Sequence, residues 1–277
     1  MILDSIEKFV KHIPTAEGSE WATLEAYIEV ADGEIRRTLT GKDLYEHIEA
    51  LPATEFLNMA LSRLIAHTAY YNAIPFVDLI QTPNGFAVVS NTNQKPASKE
   101  RVERLLAWCD MERWNSADFL VAETLATAGA LAEWKKFGEF ERLTNCIFVT
   151  GKDFHSYCGG ELPSRKTFTE AKNDLLVWQR TILEKVVSTD LMTVIIGEIR
   201  ENNVSEPNAR ILHLCRVALG KLYNGNKDEV HKLLDIVGNT LDGDLDSFPA
   251  YRDSPEYALK ISPKYENKQS DPTFFFG

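Results

Sequence analysis

Metal or nucleophilic chemistry in this sequence would have to start from its four cysteines and six histidines. Cys146, His155 and Cys158 stand closest together, and His155-x-x-Cys158 has the spacing of a ligand pair. A structural zinc takes four ligands, and neither a Cys-x-x-Cys pair nor a fourth partner stands nearby. Buried thiols beside an incidental histidine are therefore expected, with no metal and no cofactor. His67 and His213 fall inside helical patterns, where interior or satisfied imidazoles outnumber catalytic ones. A cysteine nucleophile and its histidine base would meet only in the fold, and the sequence singles out no such pair.

Other familiar patterns lead away from catalysis. Thr40-Gly41-Lys42-Asp43 and Thr150-Gly151-Lys152-Asp153 lack the preceding strand and glycine spacing of a phosphate loop. Both read instead as helix capping boxes. Gly-x-Ser-x-Gly and His-Glu-x-x-His are absent from the sequence. Asp242-Gly243-Asp244-Leu245-Asp246 looks like part of a calcium loop, but Asp253 stands where the closing glutamate belongs and Pro249 interrupts it, so a solvated turn is expected. Trp108 and Trp114 with Arg101, Arg104 and Arg113 could stack on nucleic acid. The interleaved Glu100, Glu103, Asp110 and Glu112 make a mixed, solvated helix face the better reading.

The elements carrying these residues belong to an ordinary globular chain. Its 277 residues are 44% hydrophobic and 26% charged. Lys and Arg number 30 against 41 Asp and Glu, a formal charge of −11, which argues against binding by phosphate neutralisation. Mean hydropathy is −0.23, and no apolar run approaches the roughly 20 residues of a membrane helix. Asp4 and Glu7 near the start argue against a secretory signal. The scattered cysteines suit reduced thiols, so a cytoplasmic chain is expected.

Periodicity predicts a mainly α protein. Helical patterns run over Ile2–Lys11, Trp21–Leu39, Leu44–Ala50 and Ala53–Ala73, the last with Phe56, Leu57, Ala60, Leu64 and Tyr71 on its buried side. Another runs from Ser98 to about Lys136, broken near Asn115-Ser116 or Gly129. Thr167–Val187, Asp190–Ile199, Pro207–Tyr223 and Lys227–Leu241 follow. Between the first and second groups, Phe76–Ile80 and Phe86–Ser90 flank an Asn84-Gly85 turn, a hairpin signal. From Phe248 onward, Pro249, Pro255, Pro263 and Pro272 forbid long helices, and an extended tail ending in Phe274-Phe275-Phe276-Gly277 is expected.

The chain also matches itself. Trp21 placed on Phe168 brings Ile28 onto Leu175, Ile35 onto Ile182, Leu39 onto Val186, Asp43-Leu44 onto Asp190-Leu191 and Ile48 onto Ile195. A shifted register brings Leu61 onto Leu214, Arg63 onto Arg216 and Tyr70 onto Tyr223. A third aligns Val102 with Val230, Leu105-Leu106 with Leu233-Leu234 and Asp118 with Asp246, the second copy lacking the hairpin. Apolar matches follow from the helical period alone, but Asp43/Asp190 and Arg63/Arg216 do not. The expected organisation is a first helical repeat over 1–140 with its hairpin at about 76–90, a second repeat over 141–248, and a tail over 249–277.

The order of a helix with Arg63, Tyr70 and Ile74, the Asn84-Gly85 hairpin, Lys95-Pro96-Ala97-Ser98 and a long helix has a further meaning. Together with Phe148, Phe154, Phe168 and the aromatic end, it resembles an uncharacterised family of Bacteroidetes phage and prophage proteins. Their helical pattern is similar to that of head–tail connector, or adaptor, proteins. The resemblance implies a non-enzymatic virion structural protein whose partners are portal or tail components or further copies of itself. It also implies assembly in the cytoplasm and residence in the virion. Asn84, Gly85, Phe274, Phe275 and Phe276 are the expected contact residues, the hairpin being suited to strand addition and the tail to docking. Neither nucleic acid nor membrane is expected as a partner. The competing readings are a host helical interaction module and a hydrolase with a diffuse Cys/His site.

Overall fold

In the computed structural model the described residues are 1–77, 79–82, 85–88 and 97–262, with the backbone alone described for the two strands. Ser5 accepts the Lys8 amide and opens α1 (Ile6–Val10). α2 (Trp21–Ile35) runs on through a π-helical turn, Arg36–Thr40, into α3 (Gly41–Glu49). α4 (Phe56–Ala73) precedes β1 (Leu79–Thr82) and β2 (Gly85–Val88), and α5 (Lys99–Ala126) and α6 (Ala128–Trp134) follow. Short α7 (Phe140–Leu143) and α8 (Gly151–Cys158) lead to α9 (Ser164–Trp178), which continues through a second π-helical turn, Gln179–Leu183, into α10 (Glu184–Val187). α11 (Thr189–Arg200), α12 (Glu206–Tyr223), α13 (Lys227–Gly243), α14 (Pro249–Arg252) and α15 (Pro255–Ile261) complete the chain.

α4 is buried most deeply because its apolar residues reach nearly around the cylinder, whereas α12 buries one face at helical spacing. α4 lies between α2 and α5 and buries Leu57, Leu61, Ile65 and Ala69. α12 lies against α8 and α13 and buries Ile211, Leu212, Cys215 and Leu219. α5 also packs on α9, so one hydrophobic core runs through both groups of helices. Its largest fully buried side chains include Trp134, Tyr45, Tyr251, Phe9, Phe148, Phe154 and Phe168.

Each run of helix through a π turn ends in the left-handed region. Gly41 has φ +70°, and a Cβ there would lie 2.6 Å from the Phe137 ring. Ser188 has φ 75° without being glycine. Its hydroxyl accepts the Leu191 amide at 3.2 Å, so the strained residue also caps α11.

Several expectations need correction. Thr40 does not cap α3: its backbone is still helical, and its hydroxyl donates to the Gly41 carbonyl at 3.1 Å. Thr150 does cap α8, accepting the Asp153 amide at 3.0 Å. Phe56 opens α4 on its outer side and is 62% exposed. α5 is unbroken at Asn115-Ser116; the chain leaves helix at Thr127. The strands pair Leu79 with Val88 and Thr82 with Gly85, so Gly85 belongs to β2, while Asn84 of the expected turn lies outside the described residues. The chain after Phe248 is not extended up to Ser262. Proline is accepted at a first helical turn, so Pro249 and Pro255 begin α14 and α15 instead of preventing helix. Finally, when α4 and α12 are aligned from their first residues, buried Asn58 falls on buried Asn208, whereas Arg63 and Arg216 occupy different turns.

Candidate functional site

The densest collection of buried polar chemistry surrounds residues 141–152. Thr144, Cys146, Ile147 and Phe148 are fully buried, yet the chain between α7 and α8 is not helical. Buried backbone outside regular structure must find partners elsewhere, and here side chains supply them. Gln179, on the second π turn, accepts the Ile147 amide at 3.0 Å and donates to the Asn145 carbonyl at 3.2 Å. Arg216 of α12 donates twice to the Ile147 carbonyl, at 3.1 and 2.9 Å. Arg165 of α9 donates to the Val149 carbonyl at 2.6 Å. Lys172 of α9 donates to the carbonyls of Arg142 and Leu143 at 2.8 and 2.9 Å. Arg200 of α11 reaches the Thr144 hydroxyl at 2.9 Å.

Asp118 completes the arrangement. Its carboxylate accepts the Gly151 and Lys152 amides at 2.5 and 2.9 Å, filling the N-terminus of α8, and lies 3.5 Å from Arg165. A helix start that could hold a phosphate is thus occupied by the chain's own carboxylate. Burial lowers the Arg165 guanidinium while Asp118 opposes that change. Burial also pulls the Lys172 ammonium down to about 8. These perturbed groups mimic the electrostatics of an active site. Their hydrogen bonds nevertheless go to main chain and to one another, so their work is to hold a buried linker in place. Sequence reasoning singled out only Arg216 and Asp118, as repeat matches; the others carry no local signal.

The expected sulfur and histidine candidates lie beside this linker. Cys146 and Cys158 are buried, and His155 has a buried Nδ1 without a hydrogen-bond partner. Among the described residues no group of three or more Cys, His, Asp or Glu is placed to hold a metal ion. Burial pushes the Cys109, Cys158 and Cys215 thiols up to about 12 and the Cys146 thiol upward as well. Thiolate is the reactive form. At pH 8 none of the four cysteines should react with Ellman's reagent before unfolding, and all four should react after it. One rapidly titrating thiol per folded chain would contradict this assignment.

His67 is buried on α4, its Nδ1 2.8 Å from the Arg63 carbonyl and its ring edge-on to Trp108. His213 is exposed and bonds the Tyr157 hydroxyl at 3.1 Å. His12 is more consequential. Burial lowers it from 6.5 to about 4, with His67, Arg63 and Lys11 adding to the effect. The unfolded chain therefore takes up this proton near pH 6.5 while the folded chain resists until about pH 4. Stability present above pH 6.5 should be lost as pH falls across that window. The His12→Gln variant should show a smaller drop in melting temperature than the natural chain. Equal slopes would show that His12 is not the group responsible.

The remaining motifs are absorbed by structure. Asp242 accepts from the Tyr251 hydroxyl at 3.0 Å and pairs with Lys260, while Asp246 pairs with Arg252 at 3.4 Å. The calcium-like run therefore fastens α14 and α15. On α5, Lys99 pairs with Glu103, Arg104 with Glu100 and Arg113 with Asp110, and Trp108 packs on His67. The face is mixed in charge, but it is not the solvated one expected: Trp108, Asp110, Glu112, Arg113 and Trp114 are half-buried.

Among the surface grooves of the described residues, two lie between long helices, one in each half. One, about 300 Å³, lies between α4 and α5 and is lined by Met59, Arg63, Glu112, Asn115, Ser116 and Phe119. Phe56 stands beside it, edge-on to Phe119 at 6.5 Å. The other, about 700 Å³, lies between α12 and α13 and is lined by Glu206, Pro207, Arg210, Ile236, Asn239, Thr240, Asp244 and Phe248. Of the expected contact residues, Gly85 begins β2. Asn84, Phe274, Phe275 and Phe276 lie outside the described residues.

Residues 20–136, from the entry to α2 through α6 and including the strands, match the model of a family of unknown function, DUF6712. No curated protein and no solved structure matches the chain.

Proposed function

We propose that this chain is a non-enzymatic structural protein of a tailed phage or prophage, a head–tail connector or neck component. Its partners are portal or tail proteins, or further copies of itself. The observation that carries this reading is the division of labour among its side chains. The charges of Arg165, Lys172, Arg216 and Asp118 are spent on main-chain carbonyls and amides of residues 141–152. The surface, by contrast, offers an aromatic groove with Phe56 62% and Phe119 42% exposed. A hydrolase with a cysteine nucleophile would need a thiolate, and burial opposes one at all four cysteines.

The same proposal includes an internal duplication with a hairpin inserted in the first copy. Its support is a largely shared order of elements: a 15-residue helix, a five-residue π turn, a left-handed residue, a helix, an 18-residue helix and a last helix, the second copy adding α10 before its left-handed Ser188. Asp43 and Asp190 both stand in the first turn that follows the left-handed residue, where a carboxylate suits the helix dipole. Each copy places a groove between its last two helices. A rigid pair of similar units is suited to presenting equivalent surfaces around a ring.

The test is co-expression with the portal protein encoded nearest to this chain, followed by sedimentation. A ring-sized complex containing both proteins is the expected result. A chain that stays separate from portal and tail proteins, while binding a host protein, would make it a host interaction module instead.

A further inference from the structure

We infer that the groove between α4 and α5 receives residues 263–277 of a second copy, with Phe274-Phe275-Phe276 over Phe56, Met59 and Phe119. This rests on the assembly reading and names the surface through which copies meet.

The groove is built for a peptide carrying aromatic side chains. Phe56, Met59 and Phe119 are 62%, 40% and 42% exposed and stand together on adjacent helices, an arrangement that water disfavours. Inside the groove, Ser116 is only 4% exposed, and its hydroxyl has no hydrogen-bond partner. A buried hydroxyl without a partner is costly, and the main chain of an incoming segment would supply one. Asn115 on the groove wall offers a further donor and acceptor, and the Arg63–Glu112 ion pair closes one side.

The occupant follows from chemistry and reach. The sequence holds one run of three aromatic residues, Phe274–Phe276, preceded by Lys264, Glu266, Lys268 and Asp271, which sum to zero charge. On a chain of net charge −11, this neutral stretch can approach another copy without repulsion. It leaves the body at Ser262, just after α15, which is fastened to the second half through Lys260–Asp242 and Glu256–Thr189. The groove of that half is lined by Pro207, Ile236 and Phe248 among polar residues; Phe248 is buried, leaving Ile236 as its exposed large hydrophobic side chain, against Phe56, Met59 and Phe119 at the first groove. The aromatic groove lies on the first half. Phe274 stands twelve positions beyond Ser262, a maximum reach of roughly 40 Å, enough to cross to a neighbour.

The experiment uses the full chain with p-benzoylphenylalanine in place of Phe275. Equal amounts of ¹⁴N- and ¹⁵N-labelled protein are mixed, irradiated and mapped by mass spectrometry. The expected products are mixed-isotope cross-links from position 275 to peptides containing Met59 or Phe119. Phe119→Lys, at a site already part-exposed, should keep the melting temperature and lower their yield by roughly tenfold, as loss of one buried aromatic contact would. Same-isotope links alone, or links to the α12/α13 groove or to the strands, would overturn the inference. Portal association measured in parallel separates the two ideas. A chain that joins the portal while cross-linking elsewhere defeats the groove assignment alone. One that cross-links at Phe119 but joins no particle defeats the assembly reading alone.

Discussion

Replacing Asp118 with alanine lowers the unfolding free energy by about 3–5 kcal/mol, the cost of breaking a buried ion pair by removing one partner. The Asp118 side chain is 13% exposed and that of Arg165 9%, so neither charge has much water to fall back on. The loss has two parts. The Gly151 and Lys152 amides lose their acceptor at the start of α8, and the Arg165 guanidinium keeps only the Val149 carbonyl. Asp118→Asn retains one acceptor and should cost less. Asp118→Ala combined with Arg165→Met removes the stranded charge, so the double variant should be less damaged than the two single losses added together. Chemical denaturation of the natural chain, of Asp118→Ala, Asp118→Asn and Arg165→Met, and of the double variant measures this directly. A single variant within about 1 kcal/mol of the natural chain, the range of a surface pair, would show that Asp118 is peripheral.

Gly220→Ala should be comparably severe for a different reason. α12 crosses α8 so closely that a Cβ on Gly220 would lie 2.2 Å from the Tyr157 carbonyl oxygen. The obstacle is backbone, which cannot rotate away, so two helices must separate. Overpacking of this kind costs about 1–3 kcal/mol and sometimes more. Gly151→Ala meets the Arg165 main-chain nitrogen at 2.3 Å and should behave alike. Gly33 and Gly197 provide the opposite sign. Both lie inside helices with nothing within 4 Å of the added carbon, so alanine there should stabilise by up to about 1 kcal/mol. Melting temperatures of the four variants should therefore split into two lowered and two equal or raised. A Gly220→Ala protein as stable as the natural chain would mean that α8 and α12 are not in contact.

What the sequence made legible was whatever local pattern determines. The helices from Thr167 to Leu241 came out within a few residues because their apolar spacing is regular and their ends carry Ser188, Ser205-Glu206 and Asn226. The two π turns were not legible, since one extra residue in a turn leaves little trace in periodicity. Phe56 was misassigned because a first-turn residue lies at the periphery of its helix, where spacing no longer tells inside from outside. Ser254-Pro255-Glu256 was a readable helix start, with the Ser254 hydroxyl accepting the Tyr257 amide at 3.2 Å. The general rule that proline breaks helices obscured it.

The linker network was hidden for a deeper reason. Gln179 lies 32 residues from Ile147, Arg216 lies 69 from the same residue, and Asp118 lies 33 from Gly151. Each alone is an ordinary polar residue on a helix. Only the fold reveals that they converge on one buried, non-helical stretch and that the perturbed groups are structural. Thr40-Gly41-Lys42-Asp43 and Thr150-Gly151-Lys152-Asp153 make the same point. Their four residues are identical, but one lies at the end of a π turn and the other follows an extended linker, so only Thr150 has the backbone of a cap.

The proposed role as a building block of a virion is tested most directly by the copy number of this chain in particles. Particles purified from a host carrying the gene would be digested and quantified by mass spectrometry against isotope-labelled standards of this chain and of the portal protein. The account predicts a fixed ratio to the portal, unchanged by further purification, consistent with a closed ring. Particles that lack the chain, or carry it in amounts that fall with each purification step while it remains abundant in the lysate, would contradict the account.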